Sequence, residues 1–295
     1  MTAAVVRALV LSGGGSGGAY QVGAIEYLLG ARGIVYDAYL GVSVGAVNAA
    51  HLAMFGVGKE AEAADGLTAL WRSLDDSKVA PERFMAPVSL AWQPSLRDTS
   101  PLRALLESKL DTQAIKASGK KLRVIGVDLA SGSRLTWAET DDKEALVRGI
   151  LASAAAPIIY PGVRPVALQH QVDGGVRDVV PLRQAIQMGA EEIDVLLTTS
   201  VQLSPWKRDP DRVWNTALRA FDLMVREIVD GDLRGVDLHN SLIKAGAGRP
   251  GKRFVRVRVL RPDAPLGIDS SSFSPEGIAR CIKLGRADAA AWMEG

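Results

Sequence analysis

Two glycine-framed turns lie within the first fifty residues, each where an apolar stretch gives way to a helical pattern. Gly13-Gly14-Gly15-Ser16-Gly17-Gly18 follows Val5-Val6-Arg7-Ala8-Leu9-Val10-Leu11. Gly41-Val42-Ser43-Val44-Gly45 follows Tyr36-Asp37-Ala38-Tyr39-Leu40. Glycines are needed at such turns when the chain must adopt unusual dihedrals, or when a neighbouring backbone comes too close for a side chain. Tight strand-to-helix turns commit this part of the chain to β-loop-α units, and hence to a mostly parallel sheet. The first turn reads as a cradle of backbone N–H groups. The second reads as a serine exposed on a sharp elbow, with the positive end of a helix dipole behind it. Together they point to acyl chemistry.

The rest of the chain continues the alternation. Strands are expected at 5–12, 36–42, 121–129, 133–137, 166–172, 193–199 and 253–260. Helices are expected at 18–30, 44–55, 60–73, 101–110, 143–154, 181–189, 211–230 and 275–292. Ser100-Pro101 supplies a helix-start signal, with the serine as cap and proline in the first turn. No repeat or linker marks a boundary. The expected fold is a single α/β domain over 1–295, with a mostly parallel sheet sandwiched between helices. Trp214, Leu218, Phe221, Val225 and Ile228 fall at helical spacing and form one apolar face, as a helix packed on a core would.

Composition narrows the function classes. The 47% apolar content of the 295 residues is ample for a core, and a formal net charge of +2 gives no field for nucleic-acid binding. The single cysteine, Cys281, excludes an intramolecular disulfide, and no histidine lies near it in sequence to activate the thiol. The N-terminus lacks a basic region followed by an apolar one, so a cytoplasmic protein is expected. Ala38 to Gly58 carries no charge and approaches the length of a membrane span. Its glycines, Ser43, Asn48 and His51 favour a strand followed by a buried helix instead. Val79–Trp92 is apolar but unpatterned; it reads either as an irregular packed segment or as a membrane-facing edge bearing Phe84 and Trp92.

A serine nucleophile needs a base. The histidines are His51, His170 and His239. On a helix begun at Ser43, His51 would lie about 12 Å along the axis, out of reach, and the other two lack a supporting pattern. Asp173 precedes Gly174 and Gly175, which let the chain turn and let another segment approach. Taken alone, Asp-Gly also reads as an ordinary turn. Gly13-x-Gly15-x-x-Gly18 after a strand and opening a helix also has the form of a dinucleotide-binding loop. Asp37, however, precedes most of its strand and would sit at the wrong sheet edge to meet a ribose.

The ordered set Gly13-Gly14-Gly15-x-x-Gly18, Gly41-Val42-Ser43-Val44-Gly45 and Asp173-Gly174-Gly175 resembles the patatin-like phospholipases. Ala19-Tyr20-Gln21-Val22-Gly23, Thr99-Ser100-Pro101-Leu102, Ala152-Ser153-Ala154-Ala155-Ala156-Pro157 and Asp178-Val179-Val180-Pro181-Leu182 add to the likeness. It covers about residues 5–200 well and 201–295 more loosely. The resemblance implies a serine acyl hydrolase of lipid or small esters that needs no cofactor and no metal. In it Ser43 and Asp173 would form a catalytic dyad, with Gly13, Gly14 and Gly15 as the oxyanion hole. Such a base implies a desolvated Asp173 with a raised pKa. One departure stands out, because the family usually carries arginine or lysine where this chain has Gly17. The expected preference is therefore for short-chain or neutral esters over phospholipids. A lipid-binding pseudoenzyme with the same fold is an alternative, and an acyltransferase would use the same residues.

Overall fold

The computed structural model describes residues 6–82, 95–157, 159–165, 169–206, 209, 211, 213–248 and 253–294. Phe84 and Trp92, offered above as a membrane-facing edge, lie outside the described residues.

The strands are β1 (Val6–Leu11), β2 (Ala38–Val42), β3 (Lys121–Asp128), β4 (Arg134–Ala138), β5 (Gln171–Asp173), β6 (Ala190–Leu196) and β7 (Arg256–Leu260). The helices are α1 (Gly18–Ile25), α2 (Val44–Leu52), α3 (Glu60–Arg72), α4 (Asp76–Val79), α5 (Ser100–Lys109), α6 (Thr112–Ser118), α7 (Lys143–Ser153), α8 (Leu182–Gln187), α9 (Val213–Lys244) and α10 (Pro275–Glu294). The seven strands form one sheet in the order β4-β3-β2-β1-β6-β7, with β5 also paired to β3. Neighbours from β3 through β2, β1 and β6 to β7 run parallel, whereas β4 and β5 run antiparallel to β3.

Strand β1 shows why its sequence is apolar almost throughout. Leu9 and Leu11 face a core shared with α1, α2, α3 and α10. Ala8 and Val10 face a second core shared with α8 and α9 through Ala185, Val229 and Val236. A parallel strand covered on both faces has no solvent side, so the polar half of the usual alternation is missing. The result is the expected single domain, a mostly parallel sheet between two helical layers. Among the described residues, no helix is long and apolar enough to cross a membrane.

Several boundaries differ from the sequence-based expectation. The expected strand 166–172 is represented among the described residues by β5, only three residues long, and it includes Asp173 rather than preceding it. Strand β6 begins at Ala190, three residues earlier than expected, because Glu191 and Glu192 are paired with Arg253, Arg7 and Arg256. Helix α9 runs on to Lys244 instead of stopping at 230. Helix α5 is capped differently too: Asp98 Oδ1 accepts from Ser100 N at 3.1 Å and from Ser100 Oγ at 2.8 Å, so Ser100 is the first helical residue, not the cap. Helices α4 and α6 are too short for periodicity to reveal, but Asp75 and Asp111 cap them in the ordinary way.

Candidate active site

The site begins where β2 hands over to α2. Ser43 has φ 56° and ψ −126°, and among the described residues no other non-glycine residue has a positive φ. Such a conformation costs on the order of 1–3 kcal/mol and survives only where its surroundings fix it. The flanking glycines show what does the fixing. A Cβ on Gly41 would lie 2.1 Å from the Gly45 carbonyl oxygen, and one on Gly45 would lie 2.3 Å from that of Leu11. Strand, turn and helix thus touch backbone to backbone, and Ser43 is pushed out at the C-terminal end of the parallel strands.

Asp173 reaches the same point through β3. In that strand Ile125 is the register partner of Val42, and the next residue, Gly126, is the partner of Asp173. Strand β5 therefore continues in line beyond the end of β2, and consecutive positions of β3 bring the two segments together. Gly174 is needed because its Cβ would stand 2.6 Å from the Ile125 oxygen and 2.9 Å from Val42 Cγ1. Asp173 is buried, its Oδ1 accepts the Gly175 N–H at 2.7 Å, and its carboxylate lies in the neighbourhood of the Ser43 hydroxyl. Burial pushes the Asp173 pKa up to about 6, while the Gly175 amide and, less, the neighbouring Ser43 hydroxyl pull it down.

The first glycine loop closes the third side. Gly13 backs onto the serine, with its Cβ position 3.1 Å from Ser43 Cβ. Gly14 (φ 146°) leaves room for Thr198, whose Oγ1 donates to the Gly13 carbonyl at 2.5 Å. Gly15 (φ 55°) lies against the Ser270 carbonyl, which accepts from Ser16 N at 2.9 Å. Among the described residues the amides of Gly13, Gly14 and Gly15 donate to no protein acceptor. Gly18 makes way for Val44 and Trp71. At Gly17, where the resembled family usually carries a basic residue, Leu266 Cδ1 and Thr198 Cβ lie 3.2 and 3.3 Å from a Cβ position.

Ser43 and Gly15 open into an apolar pocket walled by Val47, Leu70, Trp71, Leu102, Leu105 and Phe273, with Thr99 and Tyr160 supplying its other hydroxyls. Its enclosed volume is about 60 Å³, widening to about 620 Å³ when the solvent-filled mouth is counted. Its wall is tied to the glycine loop by buried polar groups. Trp71 Nε1 donates to Asn48 Oδ1 at 2.8 Å, Asn48 Nδ2 to Gln21 Oε1 at 3.1 Å, and Gln21 Nε2 to the Ser12 carbonyl at 2.9 Å. Gln21 sits in one of the stretches that carried the resemblance, and Asn48 in the small-residue helix behind the elbow. Sequence alone gave no sign that the two meet.

The other candidates lie elsewhere. His51 is packed against Phe55, its Nε2 3.2 Å from the Ala63 carbonyl, and burial lowers its pKa to about 4. His239 is 3.0 Å from the Arg253 carbonyl on α9, and neither it nor His170 lines the pocket. Asp37 accepts from Arg7 N at 2.8 Å at the N-terminal end of β2, the sheet edge opposite Ser43, so the ribose contact of a dinucleotide site is missing. Among the described residues, no group of three or more His, Cys, Asp or Glu side chains is gathered to hold a metal.

The C-terminal edge of the parallel strands in this α/β/α domain thus gathers a strained serine, a buried carboxylate and a glycine-rich loop. The chain matches the patatin-like phospholipase family over residues 9–186, more than half its length, and it belongs to that family of lipid acyl hydrolases. The matched stretch contains all three motifs. Among solved structures the chain is similar to VipD from Legionella pneumophila, at 14% identity and a TM-score of 0.46, over 99% of this chain and 67% of that one. No curated protein matches it in sequence.

Proposed function

We propose that the protein hydrolyses carboxylic esters of lipids through an acyl-enzyme, with Ser43 as nucleophile and Asp173 as its base. The supporting observation is the placement of the buried Asp173 carboxylate beside the strained Ser43, through consecutive register positions of β3, next to unpaired glycine amides and an apolar pocket. Asp173 takes the Ser43 proton as Oγ attacks the ester carbonyl. The oxyanion is received by amides of Gly13, Gly14 and Gly15, donors of a kind whose individual loss typically costs about 10²–10³ in rate. Asp173 then gives the proton to the leaving alcohol. In the second half it deprotonates water, which releases the acyl group, and the proton returns to Ser43. A pKa near 6 suits these roles, because the carboxylate is ionised at neutral pH yet basic enough to hold a proton transiently.

The described residues lining the pocket carry no charged side chain, and Gly17 faces Leu266. Both features favour neutral or short-chain esters over phospholipids. The test is fluorophosphonate labelling beside hydrolysis of p-nitrophenyl butyrate and a phosphatidylcholine. Wild-type protein should be labelled, and Ser43→Ala should lose both labelling and turnover, the latter by roughly 10⁴-fold or more. Equal labelling of the two proteins would remove Ser43 as nucleophile. Absence of turnover in the wild type would leave a lipid-binding protein.

A further inference from the structure

Helix α7 ends at Ser153, a fully buried residue whose hydroxyl does something unusual for this protein. Serines at helix ends commonly bond back to their own helix. Ser73, Ser108 and Ser118 all do so, donating to the carbonyls of Leu70, Leu105 and Ile115 at 2.7, 2.8 and 2.7 Å. Ser153 Oγ instead donates to the Ile125 carbonyl of β3 at 2.5 Å and accepts the backbone N–H of Ser43 at 2.8 Å. Two residues further on, the Ala155 carbonyl accepts the backbone N–H of Asp173 at 3.1 Å.

From this arrangement we infer that Ser153 is a positioning residue: with the Ala155 carbonyl, it sets the spacing and aim of Ser43 relative to Asp173. The inference rests on the dyad reading above. Its physical basis is that one short stretch of chain holds both partners by their own backbone amides. The polarity is settled as well. Ser43 N–H can only donate and the Ile125 oxygen can only accept, so a group between them must both accept and donate, as a hydroxyl does. The same bond occupies the Ser43 amide, which leaves the oxyanion to other donors, chiefly the glycine loop.

The test compares full-length wild type, Ser153→Ala, Ser153→Thr and Ser153→Cys, with Ser43→Ala and Asp173→Asn as controls. Turnover of p-nitrophenyl butyrate is normalised to sites titrated with fluorophosphonate for wild type and the Ser153 variants, and to protein concentration for the two controls. Ser153→Ala should hold KM within about threefold while kcat falls by roughly 10–100-fold, the scale of a small misplacement of reacting groups. The acid limb of its kcat/KM profile should also move, and Ser153→Thr, which keeps the hydroxyl, should recover most of the loss. A Ser153→Ala protein with wild-type kcat and acid limb, whatever its Tm, overturns the inference. If Ser153→Ala does not fold, Ser153→Cys decides, since a thiol keeps the volume but bonds weakly. Reduced kcat then supports the positioning role and unchanged kcat refutes it. Activity surviving in Ser43→Ala or Asp173→Asn would sink the dyad instead. Loss in both, with Ser153 variants unaffected, would sink only the positioning role.

Discussion

Helices α2 and α9 each follow a strand of the same sheet, yet different forces hold them. Helix α2 is nine residues long, and all but Val47 and His51 are buried. Its residues are mostly small, and its position is set by backbone atoms of β1 and β2 pressed against Gly45 and Gly41. Helix α9 is 32 residues long and strongly amphipathic, and only Val229 and Val236 are buried among its described side chains. Polar bonds along its length complete the attachment. Arg226 Nη1 donates to the Ser200 carbonyl at 2.9 Å, and Asn240 Nδ2 to the Val255 carbonyl at 2.7 Å. Backbone-to-backbone packing tolerates almost no displacement, whereas a side-chain stripe can repack. Ser43, the proposed nucleophile, stands at the start of the first kind of element.

The same substitution in the two helices should therefore have opposite signs. Gly45→Ala would drive a methyl into the Leu11 and Ser12 carbonyls, at 2.3 and 2.7 Å from its Cβ, neither of which can rotate away. It should lower stability by about 3 kcal/mol or more, or prevent folding. Urea unfolding measures this, and a wild-type midpoint would break the contrast. Asp173→Asn is expected to have the next largest effect. The folded-state pKa of about 6 exceeds the ordinary 3.8, so ionisation opposes folding. Stability associated with this group is full below about pH 4 and is lost as pH rises through about 6. The variant should thus be more stable than wild type by up to about 3 kcal/mol at pH 7.5, with the gain gone near pH 4. In the wild type, kcat/KM should rise with pH through about 6 and level off above it. A limb near 4 would show that burial does not govern this carboxyl. The smallest effect belongs to Gly235→Ala in α9. Nothing lies within 4 Å of that Cβ position, and stability should rise by about 1 kcal/mol. A loss there would mean that α9 is held as tightly as α2.

Legibility in the sequence follows the same division. The elbow, the glycine cradle and the order of strands and helices were readable because each depends on residues close together in the chain. The end of α9 was not. Gly231 and Gly235 weaken helix propensity after residue 230, and what carries the helix on is distant, namely Val236 in the second core and Asn240 on Val255. The start of β6 was hidden for a related reason. Glu191 and Glu192 look unlike strand residues until arginines from β1, β7 and the segment before β7 pair with them.

The sequence by itself determined that a serine would stand on a strained turn between a buried strand and a buried helix, since only glycines at the flanking positions admit such contact. It also offered Asp173 as a candidate base. Only the tertiary structure decided that the two meet. That depends on β3 holding Val42 and Asp173 opposite consecutive residues, and on Ser153 and Ala155 holding both backbones from one helix end. Strand register and burial are properties of paired segments remote in the chain, and the desolvation that raises the Asp173 pKa arises only when those segments close around it.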